Sequence, residues 1–177
     1  MRIGDVLYFS PRFRFSDLDV DDSEKLIEAL QDRLMGFYLA PASRLLGTGD
    51  AFAAGLLCCT AIDFVALCSG DEHPDGWLRK NIPDFGDDEA LAGNFWNWFR
   101  HGLVHEGRIK ALGQFSLDFP RLLNVVGPAL VVNPQLLLEA IQGAFQSYFE
   151  QLDKTQSARL VKRLQRYFRA EIAAARE

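Results

Sequence analysis

Apolar side chains recur at three- and four-residue intervals through most of the chain, the period of an α-helix, and two stretches depart from it. The first departure is 1–20, where apolar and polar residues alternate around Phe13 and Phe15 but Pro11 intervenes, predicting an extended arm or edge strand. Asp22 or Ser23 then caps a helix running to about Leu39, with Leu26, Leu30, Leu34 and Phe37 on one face. Pro41 is expected to interrupt it before a short resumption up to Leu46. A second helix over about 51–68 is apolar nearly all round, which marks it as central and buried. The segment 71–86 holds two prolines and two glycines and reads as a loop with one helical turn near Trp77.

Asp87 or Asp88 opens a third helix with Leu91, Phe95, Trp98, Phe99 and Gly102 on its apolar side, and Gly107 is its natural stop. The second departure comes after it: FSLDF and LLNVVGPALVV are short, rich in β-branched residues and broken by Gly127 and Pro128, predicting a small β-hairpin near 115–132. Asn133 and Pro134 form an N-cap and N1 pair for a fourth helix reaching Leu152. A fifth, over about 156–176, carries Leu160, Leu164, Tyr167, Phe168 and Ile172 on one side and its basic residues opposite. The expected architecture is mainly α: an antiparallel helical bundle with a small hairpin.

Length adds that 1–177 is one domain, and an aromatic share of 12% supplies core area without disulfide or metal staples. Cys58, Cys59 and Cys68 share one helix, where disulfide geometry is hard to reach, and are expected as buried thiols. The apolar run 51–67 nears membrane-span length but carries Thr60 and Asp63 and lacks flanking Lys or Arg, so a core helix is preferred over a span. Residues 1–16 lack the pattern of an export signal, and a cytoplasmic location is expected.

Charge is unevenly spread. The net charge is -5, yet seven basic and two acidic residues give 154–177 a charge of +5 and leave -10 on the other 153 residues. An acidic protein of this kind can still present a local anion-binding surface.

Two of the three histidines lie in Phe99-Arg100-His101-Gly102-Leu103-Val104-His105-Glu106-Gly107-Arg108. An imidazole exchanges protons near neutral pH and a guanidinium stabilises charge on a phosphorane-like transition state, a combination suited to phosphodiester cleavage without metal. On an ideal α-helix, however, positions five apart point about 140° away from each other. A two-fold homodimer apposing two copies of the helix would bring two Arg and two His into one cleft.

The string Arg100-His101-Gly102-Leu103-Val104-His105 resembles the Arg-polar-x-x-x-His signature of HEPN domains, helical bundles that include many metal-independent endoribonucleases. FRHGLVHEGRIK followed by GQFS is similar to a bacterial branch of that superfamily. The resemblance implies Arg100 and His105 as the catalytic pair and His101 as the polar residue after Arg. It also implies an RNA substrate, attack by a ribose 2′-OH leaving a 2′,3′-cyclic phosphate, no cofactor, and a toxin or defence role in which an antitoxin protein is a possible partner. HEPN modules without activity exist as well, so the alternative is a non-catalytic dimer binding a nucleotide, RNA or protein.

Asp63 and Glu106 complete the candidate set. A carboxylate in an apolar helix needs a compensating partner, and Arg100 is the preferred one, a hydrogen bond from a Thr or Trp being the other. Arg108, Lys110, Arg159, Lys162, Arg163 and Arg166 are candidate RNA-binding cations, against the reading of the last helix as a solvated basic face. Trp96, Trp98 and Phe99 could stack bases if exposed or fill the core. His101 and His105, four apart, could share a metal, with a third ligand from Asp63, Glu106 or a cysteine, whereas Arg100 paired to an acid and His105 as a helix-end cation need no function at all. P-loop, dinucleotide-binding, zinc-ribbon and nucleophile-elbow motifs are absent, which removes the footing for those enzyme classes.

Overall fold

The computed structural model describes residues 1–71, 73–153 and 158–175. It is mainly α with small β elements, as the hydrophobic period predicts.

The N-terminal twenty residues do not form an extended arm. β1 (Arg2–Ile3) and β2 (Val6–Leu7) pair as an antiparallel hairpin, and the chain then folds back so that Phe9, Phe15 and Leu18 enter the core. Phe9 sits edge-on to both Phe15 and Phe168, with centroids 5.3 and 4.9 Å away. Arg33 holds this cover down by donating to the Phe9 carbonyl at 2.7 Å. The alternation of Phe13 and Phe15 suggested a strand, but aromatic burial against distant elements outweighs local period in so short a segment.

Asp22 caps α1 (Ser23–Leu34), its carboxylate accepting from the Lys25 N–H at 3.1 Å. Pro41 does not break the helical run beyond α1. A π turn over Met35–Leu39 leads directly into α2 (Ala40–Gly47), with the Ala40 N–H reaching the Met35 carbonyl. The wide turn shifts the ladder by one residue, so the proline falls in the first turn of α2, where a missing N–H costs least. Gly36 in that turn lets the Pro11 ring lie against the helix, since a Cβ there would be 2.2 Å from the proline Cγ.

α3 (Ala51–Ser69) is the central helix, in contact with α2 and with later helices, and Gly70 ends it at φ 76°. It is the one helix among the described residues long and apolar enough to cross a membrane, and half of that window is buried inside the protein. Cys58, Cys59 and Cys68 are buried free thiols on it, and burial pushes Cys58 and Cys68 up to about 12. The loop expected over 71–86 carries more structure than one turn: α4 (Pro74–Asn81) begins on Pro74 and buries Trp77, and a 3-10 turn spans Pro83–Phe85.

Asp88 caps α5 (Glu89–Phe95), accepting from the Leu91 N–H at 2.9 Å. The helix continues as a π-helix over Trp96–Glu106 and stops at Gly107, φ 67°. The β region is larger than a hairpin. β4 (Leu123–Val126) and β5 (Ala129–Val132) are the antiparallel pair around Gly127, and β3 (Gly113–Phe115) joins β5 on its other edge as a parallel strand. Phe115 packs into α3 at Gly55, where a Cβ would fall 2.3 Å from the ring, so the sheet is seated directly on the central helix.

α6 (Pro134–Asp153) starts on Asn133, whose side-chain oxygen accepts from the Gln135 N–H at 2.9 Å and whose amide donates to the Phe119 carbonyl at 2.8 Å. α7 (Ala158–Ala174) buries Leu164, Phe168 and Ile172. The expected ends of the fifth helix, Gln156 and Arg176, and the basic Lys154 lie outside the described residues.

Candidate active site at the end of the π-helix

The π winding changes the geometry that an α-helix would impose on the Arg-His stretch. In a π-helix the backbone bonds run from residue i+5 to residue i, so side chains five apart are stacked on one side. The Gly107 N–H closes this ladder on the Gly102 carbonyl. Arg100 Nη1 therefore lies 2.8 Å from His105 Nε2 within one chain. The divergence of about 140° expected for an α-helix is removed, and a second copy is not needed to bring the two together.

A guanidinium only donates, so His105 Nε2 accepts and the ring proton sits on Nδ1. The other terminal nitrogen, Nη2, donates to Asp63 Oδ2 of α3, the partner expected from sequence. Both side chains of this pair are about four-fifths buried, at 19% exposure for Arg100 and 23% for Asp63. Trp96, one turn before Arg100, places its ring 5.3 Å from the guanidinium carbon. The arginine is thus held from three sides while His105 itself is exposed to solvent.

His101 stacks beside His105, with ring centroids 4.7 Å apart, and its Nδ1 accepts from Lys110 Nζ at 2.9 Å. The Lys110 ammonium is the main reason that His101 titrates below its ordinary range near 6.5; desolvation by its neighbours and the charges of His105 and Arg100 act in the same direction, and Glu106 opposes them. Lys110 also binds Glu106, and Arg108 pairs with the same carboxylate at 2.8 Å. The hydrogen bond from Lys110 holds Glu106 below the usual carboxylate range.

These cations reach back because 107–110 folds against the helix. The Lys110 N–H donates to the Trp98 carbonyl at 2.8 Å and the Arg108 N–H to the Gly102 carbonyl at 3.2 Å. Gly102 makes the approach possible, since a Cβ there would lie 2.4 Å from the Arg108 carbonyl oxygen. Gly102 and Trp96 are the members that sequence reasoning does not assign to the site in these roles. A glycine on the packed side of a helix and a Trp four residues before an Arg are the available signals.

The structure thus gathers Arg100, His105, His101, Asp63, Glu106, Arg108 and Lys110 at one place. The cations of α7 are set elsewhere. Arg163 donates to the Ser69 carbonyl at 2.7 Å and so caps α3. Ser69 lies about 9 Å beyond Asp63 along α3 and about 120° around it. Arg159, Lys162 and Arg166 join Arg163 around a concavity of about 510 Å³. Trp98 and Phe99 pack with the core, Phe99 between Phe95 and Phe115. Among the described residues no three His, Cys, Asp or Glu side chains are grouped as metal ligands.

No family model matches the chain, and no curated protein or solved structure matches it either.

Proposed function

We propose that this protein is a HEPN-type endoribonuclease that cleaves RNA without metal, with Arg100 and His105 as its catalytic pair. The observation that carries the reading is the contact of Arg100 Nη1 with His105 Nε2 at 2.8 Å in an exposed position, with Asp63 fixing the far side of the guanidinium. The pair has the chemistry that cleavage by a ribose 2′-OH requires. When a phosphodiester binds, the guanidinium turns its Nη1 to a phosphate oxygen and releases Nε2, which takes the proton of the 2′-OH. The O2′–P bond forms, the P–O5′ bond breaks, and the departing O5′ is protonated by a second imidazole, leaving a 2′,3′-cyclic phosphate and a 5′-hydroxyl.

A His105 from a second copy can supply that proton, whereas His101, whose Nδ1 accepts from Lys110, is held in the neutral form. A homodimer belongs to the proposal because the face of α3 that carries Asp63 also exposes Phe52 and Leu67, with Val104 exposed one turn beyond Arg100. A copy seated there would bring two Arg-His pairs to one cleft.

The test is purified protein incubated with total cellular RNA in EDTA. Cleavage is expected, and His105→Ala and Arg100→Ala are each expected to abolish it while circular dichroism stays unchanged. Cleavage that requires added metal would replace this mechanism by a metal-dependent one. Absence of cleavage, with RNA affinity retained and no growth defect on overexpression, would make the protein a binding module.

A further inference from the structure

On elements that contribute no residue to the Arg-His site, α1 and α6 run antiparallel and leave a continuous groove between them. One end is acidic, a cavity of about 610 Å³ walled by Glu24 and Glu28 of α1 and Glu150 and Asp153 of α6. The other is apolar, about 380 Å³, walled by Leu34, Met35, Leu39 and Phe145. Gln31, Gln146 and Phe149 line both, so the two are halves of one channel. We propose that this groove is a docking site for a basic amphipathic helix of a partner protein.

The shape argues for a helix. Its walls are successive turns of two helices, spaced three and four residues apart, which present ridges and holes that a third helix matches. An extended segment would leave its own N–H and C=O groups facing side chains without a ladder to join, whereas a helix satisfies them internally. From Glu24 to Met35 the α1 wall is about 17 Å long, three turns of a partner helix.

Charge argues for the sign and polarity of the occupant. Four carboxylates gather at one end, and none of the described residues lining the channel is Lys or Arg. Arg12 reaches one of them, Glu28, at 3.6 Å from an exposed position, too loosely to neutralise the cluster. A guest with Leu- or Phe-like side chains at one end and Lys or Arg at the other would complement both halves. A second copy of this chain does not supply such a guest from its described residues. Its basic helix, α7, has its apolar face buried in its own core through Leu164, Phe168 and Ile172.

The proposal does not depend on the ribonuclease reading and is tested by selection on the full chain. A displayed library of random peptides of about 16 residues, long enough for four turns, is selected against wild type. Enriched sequences are expected to carry apolar residues at helical spacing with Lys or Arg clustered towards one end. Their affinity is expected to fall about tenfold or more in Glu28→Lys/Glu150→Lys and likewise in Met35→Glu, a second variant on an exposed position that probes the apolar half. Failure to enrich any peptide, enrichment of acidic or non-helical sequences, or binding unaltered in both variants would overturn the proposal. Sedimentation supplies the last arm: if the charge reversal dissociates a self-assembly of the wild type, the groove is a seam between copies and the partner-helix proposal falls.

Discussion

α6 and the helix that begins at Asp88 start alike and end differently. Each is opened by a capping side chain, Asn133 in one and Asp88 in the other, and each carries a glycine partway along, Gly143 and Gly102. α6 keeps α-helical winding for 20 residues, and its apolar stripe faces where a 3.6-residue period puts it. The other leaves the α form after Phe95 and runs 11 residues as a π-helix. The glycines explain part of the contrast. A Cβ on Gly143 would meet nothing within 4 Å, whereas one on Gly102 would strike the returning chain. In α6 glycine is incidental; in the π segment it is the place where backbone meets backbone, and the same fold-back brings Lys110 to His101. A departure from regular winding, held by close tertiary contact, is what converts a diverging pair of residues into a converging one.

The hardest test of that contrast is Gly102→Ala. The added methyl must displace the Arg108 carbonyl, and overpacking of this kind costs about 1–3 kcal/mol, offset only in part by the better helix propensity of Ala. Urea denaturation is expected to show the loss, and the NMR signals of His101 and His105 should shift as 107–110 moves away. A variant as stable as wild type with both imidazoles unperturbed would show that the close approach does not hold the site together.

Asp63→Asn ranks next. It keeps the shape of the side chain and removes the charge that faces Arg100, and the pair is neither fully buried nor on open surface. A destabilisation of about 1–2 kcal/mol is expected, between the values for exposed and buried ion pairs. Under the proposed function the variant should lose cleavage more through turnover than through RNA affinity, because Asp63 acts only by positioning Arg100. An unchanged turnover would remove Asp63 from that role.

Lys110→Met probes the fold-back without disturbing the helix. With the ammonium gone, the His101 titration followed by imidazole NMR should move up towards its ordinary range near 6.5. The sign for stability comes from the wild type. His101 binds a proton less readily in the folded chain than in the unfolded one, so acidification below about 6.5 lowers stability. Glu106 is held below its ordinary 4.5 by Lys110, and its contribution, present above that value, is lost as pH falls through the folded-state value. Melting temperature should therefore fall in two stages on acidification, and Lys110→Met should weaken both. A variant with the wild-type pH profile would dissociate these contacts from the stability of the segment.

These tests bear on how much of the molecule is legible in the chain. The caps at Asp22, Asp88 and Asn133, the stripes of α6 and α7 and the central position of α3 derive from period and end chemistry, which act over a few residues. The pairing of Asp63 with Arg100 is legible too, because a carboxylate in an apolar helix has few ways to be compensated. The π winding is not: an apolar stripe with a 3.6-residue period reads the same until tertiary contacts rewind it, and so Arg100 and His105 read as needing a second copy. The N-terminal cover is hidden for a similar reason, since Phe9 and Phe15 are buried with help from Phe168, more than 150 residues away in sequence. Pro41 misleads in the opposite direction, because its rule assumes regular winding and the preceding π turn at Met35–Leu39 relieves it.

The smallest expected effect sharpens the comparison from its other side. Gly143→Ala places a methyl on an exposed face of α6 where the backbone is regular and open space surrounds the added Cβ. Nothing in the folded state opposes it, and alanine restricts the unfolded chain more than glycine does. Stability should therefore rise, by about 0.5–1 kcal/mol, read as a later urea midpoint at unchanged slope. The same chemical change at Gly102 is expected to act with the opposite sign. If both variants moved in one direction, the two glycines would be governed by intrinsic propensity alone, and the returning loop at Gly102 would have to yield without cost. Opposite signs would tie the difference between the two helices to the contact at Gly102.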